Sequence, residues 1–160
     1  MRAVEQIAFQ DRMPFNHCWG CGADNPNGFQ LKSCWDRDVA VADWQPSPEY
    51  MAGPEHVLNG GVISTLIDCH GVCTAIADDY RHEGREIGEG ETIWYVTGNL
   101  NVTFLKPTPI DAPVHLEAIV ARREGRKAWV DVTLSSRGEP RARGEVLAIR
   151  VPTEWLEERR

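Results

Sequence analysis

A chain of 160 residues, 42% hydrophobic and 26% charged, is one domain's worth and long enough to bury a core without staples. Its net charge of −7 leaves no basic footprint for nucleic acid, although a few grouped Lys and Arg residues can still meet an anionic ligand. The opening residues, MRAVEQIAFQDR, lack a charged-then-apolar leader pattern, and no segment is a convincing membrane span, so a soluble, cytoplasmic protein is expected.

In chain order, residues 1–16 are weakly periodic and contain Pro14, which suits a short helix or an arm crossing the surface. Residues 17–28, HCWGCGADNPNG, are dense in turn formers and read as a loop, which makes 1–28 an N-terminal arm with a CxxCG loop. Two strands are expected next, Phe29–Trp35 and Val39–Trp44, then a proline-punctuated connection through Pro46, Pro48 and Pro54. A helix is expected over His56–Asp79, and a polar loop over Arg81–Thr92 with three glycines. Strands follow at Ile93–Lys106, Val114–Arg122, Lys127–Ser135 and Ala142–Val151, with turns near Glu124-Gly125 and at Arg137-Gly138, which is a meander signature. Pro152 opens a short terminal helix over 152–160. One apolar helix with five or six mostly antiparallel strands makes a single α+β domain over 1–160, with a strongly curved sheet covering the helix and an edge strand left for subunit pairing.

The helix organises the rest. Val62, Ile63, Leu66, Ile67, Val72 and Ile76, with small residues between them, leave no charged stripe, and a helix apolar all round belongs in an interior. Asp68 and His70 within it argue against a bilayer span. Asp68 shares a helical face with Gly61, Ser64, Thr65, Gly71, Val72 and Ala75, small residues that leave the face thinly covered and open to a ligand. A carboxylate buried there has a raised pKa unless something compensates. It is either a working group or an Asp satisfied by its neighbours. The opposite face holds His70, two positions away and some 160° round, so it cannot share Asp68's pocket. A packed histidine is expected.

Cysteines stand at 18, 21, 34, 69 and 73, an odd count that argues for reduced thiols. Cys18-Trp-Gly-Cys21 resembles half of a metal knuckle, with His17 or Cys34 as further ligands. A structural zinc site takes four ligands, typically as two such pairs. Cys69 and Cys73, inside the apolar helix, read as small buried hydrophobes. The expectation is therefore no metal and a structural turn with partly buried thiols.

Asn59-Gly60-Gly61, Asp68 seven positions after the second glycine, and Asn101-Val102-Thr103-Phe104-Leu105-Lys106-Pro107 form an ordered set. In that set, and in CWGCGADNPNGFQLK, the chain resembles hotdog-fold acyl-CoA thioesterases of the phenylacetate-pathway type over residues 17–151. The resemblance implies a hotdog fold, hydrolysis of an acyl-CoA, and a site built across a homodimer or a dimer-of-dimers tetramer. Asn59 stands where the family has histidine, and Gly53 where it has an Asn six residues before the motif. An amide still hydrogen-bonds but cannot titrate.

Thioester hydrolysis needs a nucleophile or general base and donors aimed at the carbonyl oxygen. Asp68 suits the first role, as attacking carboxylate or as base for a water. The Gly60 and Gly61 amides at a helix N-terminus suit the second, and glycine permits close approach; relief of crowding is their plainer explanation. Some 10 Å separates Asp68 from the helix start, so one subunit's Asp68 is expected to serve a carbonyl held by its partner's glycines. Thr97 falls where the resembled family has a Ser or Thr holding the attacking water; an ordinary strand residue is its other reading. His56, Ser64, Thr65 and Lys106 are candidate substrate contacts. Arg122, Arg123, Arg126 and Lys127 are candidates for steering the coenzyme A phosphates, or solvated surface. No cofactor is expected beyond coenzyme A within the substrate. The competing functions are a non-catalytic acyl-CoA binding module and a hotdog hydratase or dehydratase acting on an enoyl thioester.

Overall fold

A computed structural model of the chain describes residues 6–157; positions 1–5 and 158–160, and the parts of the arm and terminal-helix expectations that fall on them, lie outside the described residues. The elements are α1 (Phe9–Arg12), β1 (Cys34–Asp36), β2 (Val39–Trp44), α2 (Gly60–His82), β3 (Trp94–Phe104), β4 (Val114–Glu124), β5 (Lys127–Ser136), β6 (Glu139–Val151) and α3 (Thr153–Glu157). The six strands form one antiparallel sheet in the order β1-β2-β4-β5-β6-β3, curved about α2. β4, β5 and β6 are the expected meander. Arg137 and Gly138, both at positive φ (52° and 74°), supply the tight β5–β6 turn.

α2 begins four residues later than expected because Asn59 is its N-cap. The Asn59 Oδ1 accepts the Gly61 N–H at 2.7 Å and the Val62 N–H at 3.4 Å. Residues 57 and 58 instead make isolated bridges to Pro109 and Met51. At its far end Gly84, with φ +66°, adopts the left-handed conformation that lets the chain leave the helix. α2 is long and apolar enough to cross a bilayer by length and composition, and here it fills the core of the sheet.

Two glycines let helix and sheet approach. A Cβ at Gly71 would stand 2.7 Å from the Val146 Cγ2, and one at Gly144 would stand 2.3 Å from the Ile67 Cγ2. On its other side α2 meets α1 and the segment after the cysteine loop. His70 is fully buried there, its Nε2 donating to the Ala40 carbonyl at 3.0 Å and its Nδ1 accepting from the Ser33 hydroxyl at 2.9 Å. Burial lowers its pKa to about 4, so this histidine is neutral and structural, as its place on the helix predicts.

The expected strand Phe29–Trp35 is realised only at its end. Gln30 takes a positive φ of 55°, and Phe29 and Leu31 donate to the Trp19 and Gly20 carbonyls of the loop. This segment ties down the arm instead of extending the sheet.

β3 carries a bulge between Thr97 and Asn99, with Gly98 as the unpaired residue. A Cβ at Gly98 would fall 2.4 Å from the Ile149 Cδ1, so the extra residue is one without a side chain. The bulge changes the phase of the strand. Tyr95 and Thr97 face α2 before it, and Leu100 and Val102 pack on the core after it, where plain alternation would have turned Asn99 and Asn101 inward.

At the C-terminal end of α2, Arg123 donates to the Asp78 carboxylate (2.6 and 3.0 Å), the Tyr95 hydroxyl (2.9 Å) and the Ala75 carbonyl (3.1 Å). Arg150 pairs with Asp79 at 3.0 Å, and the Tyr95 hydroxyl donates to the same carboxylate at 2.8 Å. These bonds staple the helix end to β3, β4 and β6.

Candidate active site

Asp68 projects from the middle of α2 toward the bulge in β3. The Thr97 hydroxyl donates to its Oδ1 at 2.7 Å. Both border a cavity of about 230 Å³ walled by Cys18, Cys69, Val72 and Trp94. Burial raises the Asp68 pKa above the ordinary carboxylate value, and the Thr97 bond partly offsets it. The result is a carboxylate held in one orientation, half-desolvated and in contact with open space. Thr97 is more than a strand residue. The bulge that follows it occupies the position where bulges commonly re-aim a side chain.

The helix face around Asp68 is less bare than its small residues suggest. The cysteine loop lies against it: a Cβ at Gly20 would stand 2.4 Å from the Cys69 Sγ and 2.8 Å from the Thr65 Cγ2. Gly71, assigned to the same open face, is turned into the sheet against Val146. Asp68 sits on the seam between sheet and loop.

At the start of α2 the two glycines differ. The Gly61 N–H is already taken by the Asn59 side chain, whereas the Gly60 N–H has no partner among the described residues. The ring edge of Phe104 lies 3.3 Å from where a Gly60 Cβ would be, a tight contact that this half-exposed side chain has room to relax. Gly60, Phe104, Lys106 and Thr108 border a second, open cavity of about 370 Å³. Asp68 and the helix N-terminus thus face different spaces of one protomer.

The other expected contacts disperse. The Ser64 and Thr65 hydroxyls donate back to the Gly60 and Gly61 carbonyls at 3.0 and 2.9 Å. His56 is exposed in the turn before α2, and its carbonyl accepts from the Ile110 amide. Lys106 pairs with Glu139 at 2.9 Å. Arg123 is committed to Asp78, and Arg122 lies over the Trp129 ring at 3.7 Å, so they form no shared cationic patch.

The cysteines are the feature the sequence reading divided. The CxxC loop faces the two helical cysteines, with the Cys18 and Cys69 sulfurs 3.7 Å apart and the Cys21 and Cys73 sulfurs likewise 3.7 Å apart. Cys69 and Cys73 are buried as expected, and each also meets a loop sulfur. The signal was available, since they repeat at helical spacing on one face, but nothing local says what they meet.

An antiparallel sheet wrapped on one long buried helix defines the hotdog fold. No protein-family model matches the chain. A thioesterase superfamily protein from Shewanella loihica shares the fold with a TM-score of 0.60 and 29% identity, over 81% of this chain and 97% of that one. The Escherichia coli PaaI protein of the phenylacetic acid degradation operon has a TM-score of 0.61 at 14% identity, over 78% of this chain and 81% of that one, a likeness of fold alone. Mouse acyl-coenzyme A thioesterase THEM4 is 31% identical over 101 residues, 62% of this chain, and this chain spans 37% of that protein's length. The chain has the hotdog fold and is similar in sequence to thioesterases that share it.

Proposed function

We propose that the chain hydrolyses an acyl-CoA to the free acid and coenzyme A, with Asp68 as the base or nucleophile. The observation that carries this reading is the half-buried carboxylate fixed by Thr97 at 2.7 Å on the wall of a cavity. As base, Asp68 takes a proton from water as the water oxygen bonds the acyl carbon; the carbon–sulfur bond then breaks and the proton leaves with the thiol. The carbonyl oxygen needs a donor while it carries negative charge, and the free Gly60 N–H at a helix N-terminus suits that role. Eight residues along α2, about 12 Å, separate the two groups, so the reading pairs one protomer's Asp68 with its partner's Gly60. β3 is an edge strand, and Phe104 at its end and Leu105 just past it are 53% and 44% exposed, which supports a homodimer formed through that edge. The scheme asks for no organic cofactor, coenzyme A entering with the substrate.

One observation favours a second reading, a binding module without efficient chemistry. The Oδ1 of the Asn59 amide that replaces the family's histidine is spent on capping its own helix. Thiol release from a panel of acyl-CoAs separates the two. Hydrolysis that falls about 10²–10⁴-fold in Asp68→Asn with the fold intact is the expected result. Saturable binding without release, unchanged by the substitution, overturns it, and hydration of an enoyl-CoA would move the assignment to a lyase.

A further inference from the structure

We propose that Cys18, Cys21, Cys69 and Cys73 bind one zinc ion that pins the N-terminal loop to α2. Each of the two pairs bridges loop and helix at a sulfur–sulfur distance of 3.7 Å. Cys18, Cys21 and Cys69 also lie within 4.8 Å of one another, and Cys73, outside that trio, reaches it through Cys21. Four thiolates at about 2.3 Å around a tetrahedral zinc stand about 3.8 Å apart, so both loop–helix contacts have the length of a tetrahedron's edge, and Cys73 draws in toward the other two sulfurs when the ion enters. A disulfide needs its sulfurs about 2.0 Å apart. An iron–sulfur cluster holds its cysteines around several metal atoms and spreads them further.

The ligands come as C-x2-C on the loop and C-x3-C on the helix, both within the spacing of structural zinc pairs. Soft donors and the absence of any open position suit zinc in a closed, structural role. A buried donor faces the sulfurs: the Asn16 amide, itself 2% exposed, donates to the Cys21 Sγ at 3.8 Å. Side chains are absent where the loop must turn or descend. A Cβ at Gly22 would lie 2.4 Å from the Cys18 nitrogen, and one at Gly20 would collide with Cys69. Four free thiols acting only as small hydrophobes would have no need of such convergence. Cys34, the fifth cysteine, stands outside the group.

Since Cys18, Cys21, Cys69 and Cys73 all border the Asp68 cavity, the ion would set one of its walls without touching the reacting atoms. The proposal does not depend on the hydrolytic reading. It is tested on the full chain, purified without a metal column: metal analysis should return about one zinc per chain. After chelation under reducing conditions, cobalt(II) titration should saturate at one equivalent, with the intense visible bands and sulfur charge transfer of a tetrahedral thiolate site, and zinc should displace it. Cys73→Ser should lose the metal, and Cys34→Ser should keep it. Should the serine variants not fold, the cobalt titration of the unaltered chain decides alone. Zinc below a tenth of an equivalent with no cobalt bands overturns the proposal. So do Cys18–Cys69 and Cys21–Cys73 disulfides in protein prepared without air, and iron in place of zinc overturns the choice of ion.

Discussion

Gly71→Ala sets two textures of the fold against each other. In an isolated helix the change stabilises by about 1 kcal/mol, since alanine is the better helix former. Here the added methyl would lie 2.7 Å from the Val146 Cγ2, 3.0 Å from its Cβ and 3.4 Å from the Val132 Cγ2. Val146 is fully buried and stiff about χ1, so it cannot swing away, and β6 or α2 must shift by several tenths of an ångström. Overpacking of that kind costs about 1–3 kcal/mol, which leaves the variant less stable by up to about 2 kcal/mol net. For a chain of this size that is a fall of up to about 8 °C in melting temperature. Guanidinium unfolding at one fixed protein concentration, on Gly71→Ala, Val146→Ala and the pair, measures it. The double change should cost at least about 1 kcal/mol less than the sum, because the new methyl enters space that the valine leaves. A Gly71→Ala protein that is more stable than the parent, with no coupling to residue 146, would refute the close seating of helix on sheet.

Other outcomes follow from the same contacts. Thr97→Val removes the bond that orients Asp68, and one hydrogen bond to a charged group, worth about 1.5–3 kcal/mol, predicts a fall in kcat/KM of roughly 10- to 100-fold with stability little changed; an unaltered rate in steady-state assays would count against the orientation argument. Asn59→Ala strips the cap of α2 and should cost about 1 kcal/mol in chemical unfolding, Asn59→Gly only a few tenths, and equal costs would mean that the cap contributes nothing. Tyr95, 3% exposed, has its pKa pushed up to about 12 by burial and by its bond to Asp79. A folded-state value above the unfolded one near 10 gives stability that is whole below pH 10 and disappears as pH rises toward 12. Tyr95→Phe should therefore lose less stability across that window than the parent, with one late phenolate step gone from the absorbance titration; equal losses would contradict it.

The range of the forces involved decides which features are legible in the sequence. α2 and the β4–β6 meander were readable because an apolar run, an Asn cap and Gly-containing turns act within a few residues of themselves. His70 was readable as structural, because helical spacing alone sets it apart from Asp68. What the sequence does not display is contact between distant segments. The Thr97–Asp68 bond joins positions 29 apart, and the facing sulfurs join positions 51 and 52 apart. Phe29–Ser33 has the composition of a strand, yet its backbone bonds go to the loop and to α1. The bulge at Gly98 was hidden for a related reason: apolar residues on either side each keep period two, and only the change of parity between Tyr95 and Leu100 betrays the insertion.

That single inserted glycine divides β3 into two segments with separate duties. Upstream, the inward positions hold Thr97 against the carboxylate; downstream, they anchor the ribbon whose outer margin is open to a neighbour. Because the parity break decouples them, substitutions that retune association along 99–103 leave the polar contact upstream in place. Drawing Gly98 into the ladder would turn every later side chain to the other face and bring asparagines into the interior in a single step, whereas excising it would leave Leu100 and Val102 inward on an unbroken strand.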